Sequence, residues 1–391
     1  MSGFRVGLFS ECYQPIQNGI VTSLITLTAS LRARDRAYVV VTPEMPRFRD
    51  VDRNVSRVAS LPLPTRTAYR LTVPYLSRDI GGVSVVHAHS AFVTGWLALR
   101  TARRACVPLV FTYHTQLEAY AHYVPLQPNV ARAVATRLTR AYANAADAVI
   151  VPTRAMNDRL RAMGVRSRIE VVPTGIDVAR FARGSRSDDV RARLGVAREE
   201  FLILCVGRLG REKNVELALH AFARLDEPRA RLVIVGDGAH RAALERECVR
   251  ANIGSRVSFA GELPRDALPD VYASADAFVF TSHSETQGLV LVEALASGVP
   301  IVAIDAPQTA DVLGDMPLVI DDADAVAAAL RRELAQSAPR LGSSRTDRRR
   351  SAAARFDGDR LGERIISIYD SLATPLPIRR FPLRTNLPVL R

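Results

Sequence analysis

The sequence predicts an α/β protein made of two doubly wound parallel sheets in tandem, facing one another across a cleft. Three observations lead there. At 391 residues and 42.8 kDa the chain is longer than one core usually grows, so two units are the default. Short β-branched runs alternate with helical patterns, which is the rhythm of a parallel sheet covered on both faces. That rhythm stops in a polar, arginine-rich stretch at residues 175–200 and then begins again.

In the first unit, strands are expected at residues 4–10 (FRVGLFS), 37–42, 83–87, 108–113, 147–151 and 169–172, with a helix at 18–34 after the first. The second set is expected at 201–206 (FLILCV), 231–235, 256–259, 277–280 and 300–304. Boundaries follow at 1–174 for the first unit and 175–354 for the second. Residues 355–373 carry Leu361, Ile365, Ile368 and Leu372 on one helical face, suited to bracing the two units. The tail, 374–391, is basic and too rich in proline for a helix. Its mixture of arginine with Ile, Phe and Leu fits either a disordered end or an interfacial contact.

Composition narrows the class further. No run approaches the roughly eighteen apolar residues of a spanning helix. The N-terminus enters a strand-like segment at once, without the regions of a signal peptide, so a cytoplasmic protein is expected. Cys12, Cys106, Cys205 and Cys248 are far apart and form no C-x-x-C pair, which reads as reduced thiols in or near the cores. A net charge of +13 invites anionic partners, although an arginine-rich proteome explains it equally well.

The densest signal is Thr281 to Pro300, TSHSETQGLVLVEALASGVP. A buried strand feeds a turn, and Leu289, Val292, Leu295 and Ala296 then follow at helical spacing. A helix start exposes free N–H groups, and Gly288 lets a phosphate approach the backbone. Glu285 flanks that position, and Glu293, two turns along, has two oxygens to offer a ribose diol. The alternatives are an ordinary acid near a helix start and a solvated helix residue. In VGRLGREKN, Arg208 and Lys213 leave a strand end in a glycine turn, where cations can clamp a diphosphate. Asp237, in the turn VGDGA, is expected to cap the next helix. Gly19 in Gln-Asn-Gly-Ile either meets phosphate across the cleft or belongs to a helix-cap turn. His114 ends the strand of FTYHTQLEAYAHYVP with Glu118, Tyr120, His122 and Tyr123 nearby, and is expected to contact substrate. His87 and His89 lack partners at metal-ligand spacing, so loop packing is expected of them.

Together these residues resemble the family 4 retaining glycosyltransferases from about residue 4 to 372. The most specific match is the pair of glutamates separated by seven residues, Glu285 and Glu293, with Gly-Arg-Leu-x-x-x-Lys, Asn-Gly-Ile and the His114 strand end as support. The resemblance implies the GT-B fold of two Rossmann-like domains, with a nucleotide-sugar as co-substrate, no other cofactor and no metal. It implies that Arg208 and Lys213 bind the donor diphosphate, assisted by the amides near Gly288 and Leu289. Glu285 would hold sugar hydroxyls, Glu293 the ribose, His114 the transferred sugar, and Gly19 would lie by the phosphate. Gln287, where many members have Phe, is similar to bacterial diacylglycerol α-glucosyltransferases, as is Thr112-Tyr-His-Thr-x-x-Glu118 continuing to Pro125. That subgroup implies UDP-glucose as donor, a membrane lipid as acceptor and an anionic membrane surface, with no nucleic-acid partner. Arg100, Arg103, Arg104 and the basic helix at 132–140 suit a peripheral site on the inner face of the cell membrane. The runner-up is a GDP-mannose-dependent mannosyltransferase acting on phosphatidylinositol or another glycolipid. Outside that class stand a sugar-nucleotide-binding protein without turnover and an epimerase of the same fold. Residues 305–314 replace the family's glycine-rich segment with a shorter one, which bears on sugar specificity.

Overall fold

The computed structural model describes residues 4–62, 69–73, 75, 80–119, 127–336 and 344–373. Its strands are β1 (Arg5–Phe9), β2 (Ala37–Pro43), β3 (Val55–Val58), β4 (Ser60–Pro62), β5 (Arg70–Thr72), β6 (Val85–Ala88), β7 (Leu109–Thr112), β8 (Ala148–Val151) and β9 (Arg168–Val171), followed by β10 (Phe201–Val206), β11 (Ala230–Val235), β12 (Val257–Gly261), β13 (Ala277–Phe280) and β14 (Ile301–Ala303). Among the described residues, one parallel sheet runs β3-β2-β1-β6-β7-β8-β9 and the other β12-β11-β10-β13-β14. In the first, the order reverses beside β1; in the second, beside β10. Crevices at the carboxyl ends of strands form at such reversals.

The strands read as continuous apolar runs because both faces are covered. Val6, Leu8, Val40 and Val85 face the helix Gly19–Ala33 through Leu24, Leu27 and Leu31, while Phe9, Val39, Val41 and Val86 pack on the opposite side. In the second sheet Ile203, Cys205 and Ile234 face one layer, and Leu204, Val233 and Phe278 the other.

Every strand expected from the sequence is present, with ends shifted by a residue or two. The sequence did not announce β3 or the antiparallel pair β4–β5, which are short and only partly buried, β3 being mostly half-buried and β4 and β5 partly exposed, so they lack the buried pattern that marked the rest. It also missed the arginine-rich helix Ser344–Ala353, whose one buried residue is Ala353. Three cysteines are buried, but Cys106 is exposed at the end of the helix Val93–Ala105, in the left-handed conformation (φ 54°). Tyr120, His122, Tyr123 and the tail 374–391 lie outside the described residues.

The helix Gly358–Ala373 returns to the first sheet, burying Leu361, Ile366, Ile368 and Tyr369, with Ile365 and Leu372 partly buried at the margin. Its face is therefore wider than the four positions of the sequence pattern. Arg34–Asp359 (2.5 Å) and Arg36–Asp370 (3.0 Å) flank the contact. The chain thus passes between the sheets twice, and the two passages lie side by side. Ile176 N donates to Phe356 O (3.0 Å), and Gly358 N donates to Ile176 O (2.9 Å). A Cβ on Gly175 would stand 2.5 Å from the Gly358 Cα, so backbone meets backbone there.

No flexible side chain can yield at that crossing. Gly175→Ala is therefore expected to destabilise the protein by about 1–3 kcal/mol, read as a lower midpoint of chemical unfolding. Gly254→Ala, where an added Cβ meets nothing within 4 Å, is the control expected to stay near wild type.

Candidate active site

The loop 281–288 leaves the carboxyl end of β13 and opens the helix Leu289–Ser297. Gly288 starts that helix at φ 81°, where a side chain would be strained and its Cβ would lie 3.3 Å from the Phe280 ring. No side chain caps the helix, so its first amides are available to an anion. The first sheet presents a helix start to the same place: a Cβ on Gly19 would lie 3.5 Å from Leu289 Cδ1. The helix-cap turn weighed for Gly19 is also there, since Asn18 Oδ1 accepts from Val21 N (2.9 Å).

Arg208 and Lys213 stand in the turn after β10, at the order reversal of the second sheet. Two glycine turns meet beneath them, because a Cβ on Gly236 would fall 2.0 Å from the Gly207 oxygen. Lys213 Nζ pairs with Glu285 Oε1 at 2.6 Å, and Arg208 pairs with the buried Glu212 carboxylate. Sequence spacing placed the two cations together and the two glutamates together; the structure joins one member of each set. Glu285 is thereby oriented by a cation beside the helix start at Gly288.

The same loop is gripped from the first sheet. Gln116 Nε2 donates to the Glu285 carbonyl (2.7 Å), Thr286 Oγ1 to the His114 carbonyl (3.1 Å) and Thr153 Oγ1 to the Thr286 carbonyl (2.9 Å). Buried Gln287 accepts from Thr174 N (2.7 Å) and donates to Thr174 O (3.0 Å), pairing its amide with the backbone that leaves the first sheet. Gln116, Thr153 and Thr174 were not singled out from sequence. Their one signal was position, just past the ends of β7, β8 and β9.

His114 lies two residues past β7 and shares a 2.9 Å hydrogen bond, Nε2 to Nδ1, with His89. His87 and His89 are not loop-packing residues: His87 is within β6 and His89 immediately follows it, both buried. His87 bonds the Tyr369 hydroxyl (2.6 Å) and Thr112 Oγ1 (2.7 Å), tying the last helix to the sheet interior. Burial lowers all three imidazoles, His87 to about 3 and His114 to about 4, so the cluster is neutral at pH 7. Glu118 turns away into an ion pair with Arg159 (2.6 Å). Asp237 does not cap a helix either. It accepts from Gly238 N and pairs with Arg241, while the helix Arg241–Arg250 begins at His240 without a side-chain cap.

Glu293 is buried, not solvated, because its helix is enclosed on nearly every side. Tyr272 donates to Oε2 at 2.9 Å, leaving Oε1 without a partner among the described residues. Burial raises its pKa to about 6, against the lowering effects of Arg265 and the tyrosine bond. Arg265 in turn donates to Thr22 Oγ1 on the first sheet's helix. A carboxyl with a raised folded pKa binds more protons folded than unfolded, so its ionisation costs stability as pH rises from about 4.5 through 6. Glu293→Gln is expected to be more stable than wild type above pH 6, by up to roughly 2 kcal/mol, with the gap closing below pH 4.5. Unfolding midpoints of the two proteins between pH 4 and pH 8 check this.

Known proteins resemble this chain in sequence and in fold. The family model described as Glycosyltransferase Family 4 matches residues 17–180, and that of glycosyl transferases group 1 matches residues 186–353. The chain is 30% identical over 323 residues to the alpha-monoglucosyldiacylglycerol synthase of Streptococcus pneumoniae, covering 80% of this chain and 73% of that one. It is 30% identical over 318 residues to the enzyme of that name from Acholeplasma laidlawii, covering 76% and 79%. The GDP-mannose-dependent alpha-mannosyltransferase of Mycobacterium tuberculosis is 33% identical over 326 residues, covering 80% and 82%. Among solved structures, sucrose-phosphate synthase from Thermosynechococcus elongatus superposes with a TM-score of 0.77 at 22% identity, over 94% of this chain and 99% of that one. Anabaena HepE in complex with UDP and glucose gives 0.74 at 19% identity, over 94% and 100%. Those structures share the fold, and the two family models together with the relatives show that this chain belongs to the family 4 glycosyltransferases, enzymes of the GT-B fold.

Proposed function

We propose that the protein is a retaining hexosyltransferase that moves glucose from UDP-glucose to diacylglycerol at a membrane surface. The observation that carries the reading is the Lys213–Glu285 pair, set beside the uncapped helix start at Gly288 and held by both sheets. The names of the Streptococcus and Acholeplasma relatives, alpha-monoglucosyldiacylglycerol synthases, support a glucosylated diacylglycerol as the lipid concerned.

In this scheme the donor diphosphate lies against the amides of Gly288 and Leu289, with Gly19 opposite. Arg208 and Lys213 neutralise the charge that develops as the bond from the sugar C1 to the phosphate oxygen breaks. Glu285 holds sugar hydroxyls, His114 contacts the transferred sugar, and Glu293 Oε1 accepts from the ribose. The acceptor hydroxyl forms the new C1–O bond on the same face and passes its proton to the departing diphosphate. This arrangement requires neither a covalent carboxylate nor a metal, so turnover is expected to survive EDTA.

No helix among the described residues is long and apolar enough to cross a membrane. The first sheet's outer helices offer a peripheral contact instead. Phe92 and Trp96 are exposed beside Arg100, Arg103 and Arg104, and Val130 and Val134 are exposed beside Arg132 and Arg137. Apolar tips with flanking cations suit an anionic bilayer, in keeping with a site on the inner face of the cell membrane. A second reading, mannosyl transfer from GDP-mannose to phosphatidylinositol or another glycolipid, is favoured by the Mycobacterium relative at 33% identity.

Purified protein incubated with UDP-glucose or GDP-mannose, with and without diacylglycerol vesicles, is expected to release UDP and form glucosyl lipid only when vesicles are present. Turnover confined to a soluble acceptor would sink the lipid assignment, and a GDP-mannose product would select the second reading. Lys213→Ala and Glu285→Gln should each lose about 100-fold or more in turnover while keeping the wild-type unfolding midpoint. Replacing Arg100, Arg103 and Arg104 by Ala should weaken sedimentation with anionic vesicles by about 1 kcal/mol per residue near the surface, and the difference should vanish in high salt.

A further inference from the structure

We infer that His89 is a positioning residue that holds His114 in a single tautomer, with the ring proton of His114 on Nδ1. This deepens the reading in which His114 contacts the transferred sugar, and rests on it for its functional consequence.

The two imidazoles are joined by one hydrogen bond, His89 Nδ1 to His114 Nε2, at 2.9 Å, with the rings nearly parallel (14°). Both are neutral, so each carries one ring proton, and a shared bond needs a donor on one side and an acceptor on the other. Two arrangements are possible. If His114 donates from Nε2, the proton of His89 must sit on its own Nε2. If His89 donates from Nδ1, its Nε2 is a bare acceptor and the proton of His114 must sit on Nδ1.

The surroundings of His89 decide between them. Its Nε2 is buried with no hydrogen-bond partner among the described residues. The ring is buried and packed between two others, with the His87 ring centroid 4.2 Å away and that of His114 5.2 Å away. His87 cannot help, since Tyr369 and Thr112 occupy both of its nitrogens. A buried N–H without an acceptor is rarer than an acceptor without a donor. The proton of His89 therefore lies on Nδ1 and is donated to His114. His114 is left with Nε2 as acceptor and Nδ1–H as donor, in a residue whose backbone carbonyl accepts from Thr286 Oγ1 of the loop 281–288. A donor fits a sugar hydroxyl oxygen, and no proton transfer is asked of it.

The test labels the protein with 15N-histidine and records two-bond 1H–15N correlations, assigning His114 and His89 by substitution. His114 is expected to show the Nδ1–H pattern; an Nε2–H pattern would overturn the inference. The amide nitrogen of Asn can stand where Nδ1 of His stands, so His89→Asn should keep the pattern and stay within about threefold of wild-type turnover. His89→Leu fills similar space without a donor and should lose the pattern and about tenfold in turnover, with donor KM changed less than kcat. If His89→Leu turns over as fast as wild type, or if folded His89→Asn is no better than His89→Leu, the positioning role is wrong. An Nδ1–H pattern combined with full activity of His114→Ala would keep the tautomer and instead remove His114 from the sugar site.

Discussion

The amide of Gln287 lies across the backbone of Thr174, accepting from its N–H and donating to its carbonyl, and the rest of the site depends on that pairing. A buried primary amide has to satisfy both of its polar ends, and a single residue's backbone supplies both here. The loop that carries Glu285 and Gly288 is thereby fastened to the point where the chain leaves the first sheet. Gln116, Thr153 and the Thr286–His114 bond complete the grip. A loop held from both sides is placed with a precision that a free surface loop lacks, and group transfer in general depends strongly on placement.

Charge is distributed with the same economy. Although the chain carries a net +13, the two cations singled out in the turn after β10 are each matched to a carboxylate, Lys213 to Glu285 and Arg208 to Glu212. Such pairs hold long side chains in one geometry before a ligand arrives, so less ordering remains to be done on binding. Glu293 is the contrasting case. It is buried with a tyrosine hydroxyl as its nearest partner, and its raised pKa reflects a local cost in stability. Costs of that kind are commonly found where a group is kept for binding rather than for folding.

The two crossings at Gly175–Ile176 and Phe356–Gly358 set the relation between the sheets. Because the final helix returns to the first sheet and bonds His87 through Tyr369, the end of the described chain is tied to the strand that supports the histidine cluster. Packing of the last helix on the first sheet and the candidate site at the sheet's carboxyl edge thus share one column of residues, Tyr369, His87, His89 and His114.

By itself the sequence determined the two-sheet architecture, since strands such as FLILCV at 201–206, apolar throughout, have to be covered on both faces. It also determined the chemical parts, because the spacing of Glu285 and Glu293 and the glycine turn with Arg208 and Lys213 are local patterns. Short, partly buried elements such as β3 and the β4–β5 pair left no such pattern and were not legible. Nor were the partners: local spacing cannot show that Lys213 meets Glu285 across 72 positions, that Gln287 meets Thr174 across 113, or that His89 meets His114 across 25. The first and last of these join loops after neighbouring strands of one sheet, β10 with β13 and β6 with β7, while Gln287 and Thr174 join the two sheets, and so strand order and sheet docking, which only the tertiary structure decides, selected the residues of the candidate site.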